Sequence, residues 1–224
     1  MCVFDKIVFT NTYGHTYNDI TEQEIISDVV AGAILEFIKL GDDHFVVSYP
    51  DGRIALMRND DGTNYSSWIK EVNPSPDNLV ATSKKLMGVP YLWGGTSTKG
   101  MDCSGFTKTV YFLNGMVIPR DASQQVHTGK QIDENRKFEN LEKGDLLFFG
   151  KKATENTKEK VVHVGMWIGN DEFIHASNMV RVSSINPDAE NYDEYNLNRY
   201  LRSKRILKES DKDLIDLKQF SVFN

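Results

Sequence analysis

Met101-Asp102-Cys103-Ser104-Gly105-Phe106 is the stretch that decides how this 224-residue chain is read, and Cys103 is one of only two cysteines. Apolar residues recur behind it at Phe106, Val110 and Leu113, and Gly115 follows, so residues 103–114 read as a helix closed by glycine. Asp102 is a natural cap for that helix, which puts Cys103 at or near its N-terminus. Unpaired amides and the helix dipole favour a thiolate there. Downstream, His163 lies in Val162-His163-Val164-Gly165 and His175 in Phe173-Ile174-His175-Ala176-Ser177, both strand-like contexts. Gly169-Asn170-Asp171 between them reads as a hairpin turn that brings the rings together. A thiol needs a base within hydrogen-bond reach, and imidazole is the usual one near neutral pH. The set is nucleophile, base and orienter; on spacing alone either histidine is the base.

Blander readings of the same residues compete with this one. A lone cysteine near an apolar helix is often buried packing, and a histidine between valines is often a satisfied core residue. Zinc is disfavoured, because Cys103 has no second sulfur nearby and no His-x-x-x-His pair is present. No metal and no cofactor is expected. Cys2 has no comparable context. An oxyanion hole needs donors: the Cys103 amide is one if the helix starts there, and the Tyr91 hydroxyl is a candidate for another.

Working outward, Pro90-Tyr91-Leu92-Trp93-Gly94-Gly95 is a rigid aromatic turn, and residues 78–87 fit a helix ending at Gly88. Asn73-Pro74-Ser75-Pro76-Asp77 is the best boundary, since two prolines end strand and helix alike. The expected domains are therefore residues 1–73 and 74–224. The first carries four or five short strands in residues 20–70, broken by Gly32, Pro50-Asp51-Gly52 and Asp61-Gly62, and is expected to be a small barrel. The second is α+β: helices, then strands at 145–149, 161–168, 172–176 and 199–207, with a hydrophilic loop over residues 151–160. Leu214, Leu217 and Phe220 have helical spacing, so the tail is expected to end in a docked helix.

Composition sets the outer limits. About 40% of residues are hydrophobic, enough for a substantial core. A net charge of -6 argues against a nucleic-acid partner, which would want a basic stripe. No stretch is long and apolar enough to span a bilayer. Residues 1–10 lack a basic start, an apolar run and a cleavage site, so a cytoplasmic location is expected, with the cell envelope as the alternative if a signal was removed. A monomer is expected.

Five segments together resemble the NlpC/P60 cysteine peptidases, a papain-like family that cleaves peptides of bacterial cell wall. They are residues 90–95, Asp102-Cys103-Ser104-Gly105-Phe106, Gly144-Asp145-Leu146-Leu147-Phe148-Phe149, His163-Val164-Gly165-Met166-Trp167-Ile168-Gly169 and Phe173-Ile174-His175-Ala176-Ser177. The resemblance implies Cys103 as nucleophile, His163 as base, His175 as third member and Tyr91 on the oxyanion side. It also implies an SH3-like domain in front. A narrower resemblance is to γ-D-glutamyl-L-diamino-acid endopeptidases of the dipeptidyl-peptidase VI type, which act on muropeptide stems with a free N-terminal L-Ala. In that group Arg120-Asp121-Ala122 matches a pocket-lining segment, which implies Asp121 as a buried carboxylate pairing with the substrate ammonium. Trp93 would wall the same pocket and Ser104 would add polar contacts. Those enzymes commonly carry two SH3-like domains; this chain has room for one, which implies a more open amine pocket.

Overall fold

The computed structural model describes residues 6–220, so Cys2 lies outside the described residues. They form two compact units: residues 6–72 with Ser97–Lys99 and 217–220, and residues 73–96 with 100–216.

The first unit is built on β1 (Lys6–Phe9), β2 (Tyr13–Tyr17), β3 (Ile25–Val30), β4 (Ile34–Leu40), β5 (His44–Ser48), β6 (Ile54–Arg58) and β7 (Gly62–Asn64), followed by the short helix α1 (Tyr65–Glu71). All pair antiparallel in the order β3-β2-β6-β5-β4-β1-β7. β1 and β2 lie before residue 20, outside the span expected to carry strands. The expected barrel does not close: among the described residues no pairing joins the edge strands β3 and β7. Ile7, Phe9, Val29, Leu35, Val47, Ala55 and Met57 fill the core. Asp61-Gly62 ends a 3-10 turn that feeds β7, a tight connection after β6.

The second unit opens with α2 (Pro76–Lys85), capped by the Ser75 hydroxyl and with proline in its first turn, where a missing N–H costs nothing. The two-residue strands β8 (Thr96–Ser97) and β9 (Gly100–Met101) lead into α3 (Cys103–Leu113), then β10 (Met116–Val117), α4 (Ala122–Gln125) and β11 (Lys130–Asp133). The sheet is completed by β12 (Leu146–Lys151), β13 (Lys160–Gly169), β14 (Glu172–Ser177), β15 (Met179–Ser184) and β16 (Tyr200–Arg205), with α5 (Glu194–Asn198) before β16. Its order is β11-β16-β12-β13-β14-β15.

Leu146-Leu147-Phe148-Phe149 is apolar without alternation because both faces of β12 are covered. Leu146 and Phe148 join Val164, Met166, Ile174 and the α3 side chains Phe106, Val110 and Tyr111. Leu147 and Phe149 join Trp167, Phe173 and Tyr200 in a separate cluster. Phe106 and Val110, fully buried on α3, each contribute about 1.5–3 kcal/mol of burial, which helps hold the helix against β13 and β14. Among the described residues of the tail no helix forms: Ile215–Asp216 is a strand, β17, pairing antiparallel with β10. The helical spacing of Leu214, Leu217 and Phe220 is a weak pattern, and the free edge of β10 accepts the chain as a strand instead. Among the described residues no helix is long and apolar enough to cross a membrane.

Candidate active site

α3 starts where Asp102 takes the capping position, its Oδ1 accepting the Gly105 N–H at 2.7 Å. Through Oδ2 the same carboxylate accepts the Gly94 N–H at 3.0 Å, tying the Gly94-Gly95 turn to the head of the helix. A Cβ on Gly105 would stand 2.1 Å from the Gly95 carbonyl oxygen, so only glycine allows this approach. Arg120 completes the cluster as a two-pronged clamp, donating from Nη1 to Oδ1 at 3.0 Å and from Nη2 to Oδ2 at 2.7 Å. Nη1 also donates to Ser104 Oγ at 3.0 Å, and that hydroxyl donates to Asp102 Oδ1 at 3.2 Å. Arg120 and Ser104, expected in the substrate pocket, are thus occupied in holding the helix start. Burial works against ionisation of Asp102, but hydrogen bonds from Arg120 and from the Gly105 and Gly94 amides outweigh it and keep the carboxyl below its usual range.

An Arg120→Met variant should lose about 2–3 kcal/mol of stability, because a part-buried carboxylate loses its charged donor. It should also react more slowly with iodoacetamide at fixed pH, since an unneutralised Asp102 beside Cys103 raises the thiol pKa. An unchanged Tm together with an unchanged alkylation rate would remove the clamp from consideration.

Cys103, the first residue of α3, is buried, and the backbone N–H of Val164 points at its sulfur. Burial pushes the thiol up, and that N–H offsets part of the shift. Val164 directly follows His163 in β13, so the sulfur meets the strand backbone at the residue after His163. His163 Nε2 is 2.7 Å from Nδ1 of His175 on β14. Gly165 makes room for that meeting: a Cβ there would lie 2.8 Å from the Phe173 ring and 3.3 Å from the His175 Cβ. The two rings pack against Phe149 and Phe173, with His175 fully buried. Burial first, then the neighbouring His175, Arg199 and Arg181, hold His163 well below its usual range. Burial lowers His175 to about 4, although Asp193 opposes the shift. Both rings are therefore neutral near pH 7, and so is the thiol.

Tyr91 is half-buried; burial raises its phenol pKa, and so would a charge on Cys103, which places the hydroxyl near the sulfur. Trp93 is 86% exposed beside Leu92 at 58%, an aromatic face open to a ligand. Asp121 departs from expectation. It heads α4 with its side chain 62% exposed, 3.9 Å from Arg120, and is not a buried carboxylate. Sequence reasoning missed Ser183, whose hydroxyl lies 3.1 Å from His175 Nε2, and Asp193, whose carboxylate lies 3.8 Å from the same nitrogen. Neither carries a local signal: Asp193 reads as an ordinary helix cap, which it also is, accepting the Asn196 N–H at 3.0 Å.

The chain is 43% identical over 141 residues to the γ-D-glutamyl-L-lysine dipeptidyl-peptidase of Bacillus cereus, a match covering 63% of this chain and 40% of that protein. It is 30% identical over 207 residues to dipeptidyl-peptidase 6 of Lysinibacillus sphaericus, covering 82% of this chain and 70% of the relative. The crystal structure of an NlpC/P60 family protein from Bacillus cereus superposes with a TM-score of 0.75 at 31% identity, over 92% of this chain and 64% of that one. The chain therefore spans less than two thirds of either Bacillus cereus protein. Residues 88–202, just over half of the chain and inclusive of Cys103, His163 and His175, match the NlpC/P60 family, and the chain belongs to it.

Proposed function

We propose that the protein is a cysteine endopeptidase hydrolysing the γ-D-glutamyl–diamino-acid bond of cell-wall-derived peptides. The observation that carries this is the 2.7 Å pairing of His163 with His175 beside a thiol at a capped helix N-terminus. The substrate class follows from similarity to a protein named for that bond. On this reading the catalytic unit is papain-like and the preceding β-rich unit is SH3-like.

His163 Nε2 is committed to His175, so Nδ1 is the atom that takes the Cys103 proton. Thiol and imidazole rest neutral, and the proton moves as the sulfur attacks the γ-carbonyl: general-base catalysis rather than a standing ion pair. The Cys103 amide and the Tyr91 hydroxyl receive the developing oxyanion. His163 then protonates the leaving amine, and water, activated by the same ring, cleaves the thioester. Mass spectrometry of L-Ala-γ-D-Glu-diamino-acid peptides tests the proposal. Release of L-Ala-γ-D-Glu supports it; cleavage confined to intact sacculi would replace it with a wall-hydrolase reading.

Exposure of Asp121 sets the expected size of amine recognition. A solvent-facing ion pair contributes about 0.2–1 kcal/mol, so N-acetylation of the stem peptide should cost about 1.4- to fivefold in kcat/KM. A loss above roughly 30-fold would mean that a buried partner other than Asp121 holds the ammonium. Equal rates would retire amine recognition altogether.

A further inference from the structure

The proposed proton path imposes a tautomer on every ring. If His163 Nδ1 is to accept from the thiol, the neutral ring carries its proton on Nε2 and donates it across the 2.7 Å contact to His175 Nδ1. His175 must then be unprotonated at Nδ1 and protonated at Nε2. Two groups face that Nε2: the Ser183 hydroxyl at 3.1 Å and an Asp193 carboxylate oxygen at 3.8 Å. A hydroxyl donates as readily as it accepts, so Ser183 fits either tautomer of His175 and selects neither. An ionised carboxylate only accepts. Asp193 is nearly buried and held ionised by the Asn196 backbone and side-chain N–H groups, so its charge acts at short range with little water between.

We propose that Asp193 is a positioning residue of the active site: its carboxylate fixes His175 as the Nε2–H tautomer, which presents Nδ1 to His163 and leaves the distal His163 nitrogen free for the thiol. The other charged or titratable groups acting on His175 are Arg181, its cross-strand neighbour on β15, and Arg199 before β16; both disfavour a positive ring. Asp193 is the acidic group that offsets them when positive charge develops on the histidine pair during attack. This role rests on the peptidase reading for its kinetic consequence, but not for the tautomer itself.

The test uses Asp193→Asn, which keeps a good helix cap and removes the charge. On stem peptide, kcat should fall about 10–100-fold with KM nearly unchanged. Ser183→Ala should lose less. Nitrogen-15 shifts of the wild-type protein should show His175 protonated at Nε2 and bare at Nδ1, and Asp193→Asn should turn this into a mixture. A wild-type His175 carrying its proton on Nδ1, or an Asp193→Asn variant with unchanged kcat and unchanged shifts, would overturn the inference. A wild-type protein inactive on every stem peptide would defeat the peptidase reading alone, and the tautomer measurement would still decide the role of Asp193.

Discussion

Cys103→Ala is expected to abolish peptide hydrolysis, with a loss on the order of 10³-fold or more in kcat, while leaving the fold intact. Every route to the acyl intermediate needs the sulfur, and no other described cysteine exists to replace it. The structural cost should be small. Removing one buried sulfur from the first turn of α3 leaves the Asp102 cap, the Arg120 clamp and the apolar face of Phe106, Val110 and Tyr111 in place. Matched circular dichroism and Tm values would show this. Cys2→Ala, by contrast, should change turnover little. Near wild-type turnover by purified Cys103→Ala would dismiss the nucleophile assignment. A wild-type protein that binds wall peptides yet cleaves none would point instead to a binding domain; slow alkylation alone would not, because burial keeps the resting thiol neutral.

Sequence and structure agree where the signal is local. The spacing of Phe106, Val110 and Leu113 with Asp102 in front and Gly115 behind is enough for α3, because cap, face and stop all lie within one short segment. The histidine hairpin was legible for the same reason: Gly169, Asn170 and Asp171 all adopt the left-handed backbone that such a turn demands. What escaped depends on residues far apart in sequence. Arg120 lies in a pocket-like motif, but its fork closing on Asp102, 18 residues away, has no signal in the sequence. Asp193 and Ser183 sit in unrelated segments and meet only because β14 and β15 pair and the loop beyond returns over them. The tail failed through a weak pattern, three apolar residues whose helical spacing lost to an unpaired strand edge. Asp121 shows the reverse risk. Its place in a motif implied burial, and the first turn of a four-residue helix leaves it in solvent.

Replacing His163 by Ala should lower kcat/KM by about 10²–10⁴-fold, and the pH profile of the wild type should show why. Catalysis needs the neutral ring. Burial, reinforced by the neighbouring His175, Arg199 and Arg181, keeps His163 neutral well below pH 6.5. The acid limb of kcat/KM should therefore not appear at pH 6.5; the rate should hold as pH falls through that value and drop only well below it. Stability should limit the range from the same acid side. His175 titrates at about 4 in the folded chain against 6.5 when unfolded, so between those values the unfolded state binds more protons. Its contribution is complete above pH 6.5 and shrinks as pH falls, by roughly 3 kcal/mol in total by pH 4. Urea unfolding across this window isolates the effect when wild type is compared with His175→Asn, whose amide cannot titrate and whose curve should fall less steeply. An acid limb centred at pH 6.5, or parallel stability curves for the two proteins, would mean that the histidine pair is wetter than its place between Phe149 and Phe173 requires. The neutral-pair mechanism would then give way to a thiolate–imidazolium pair formed before substrate arrives.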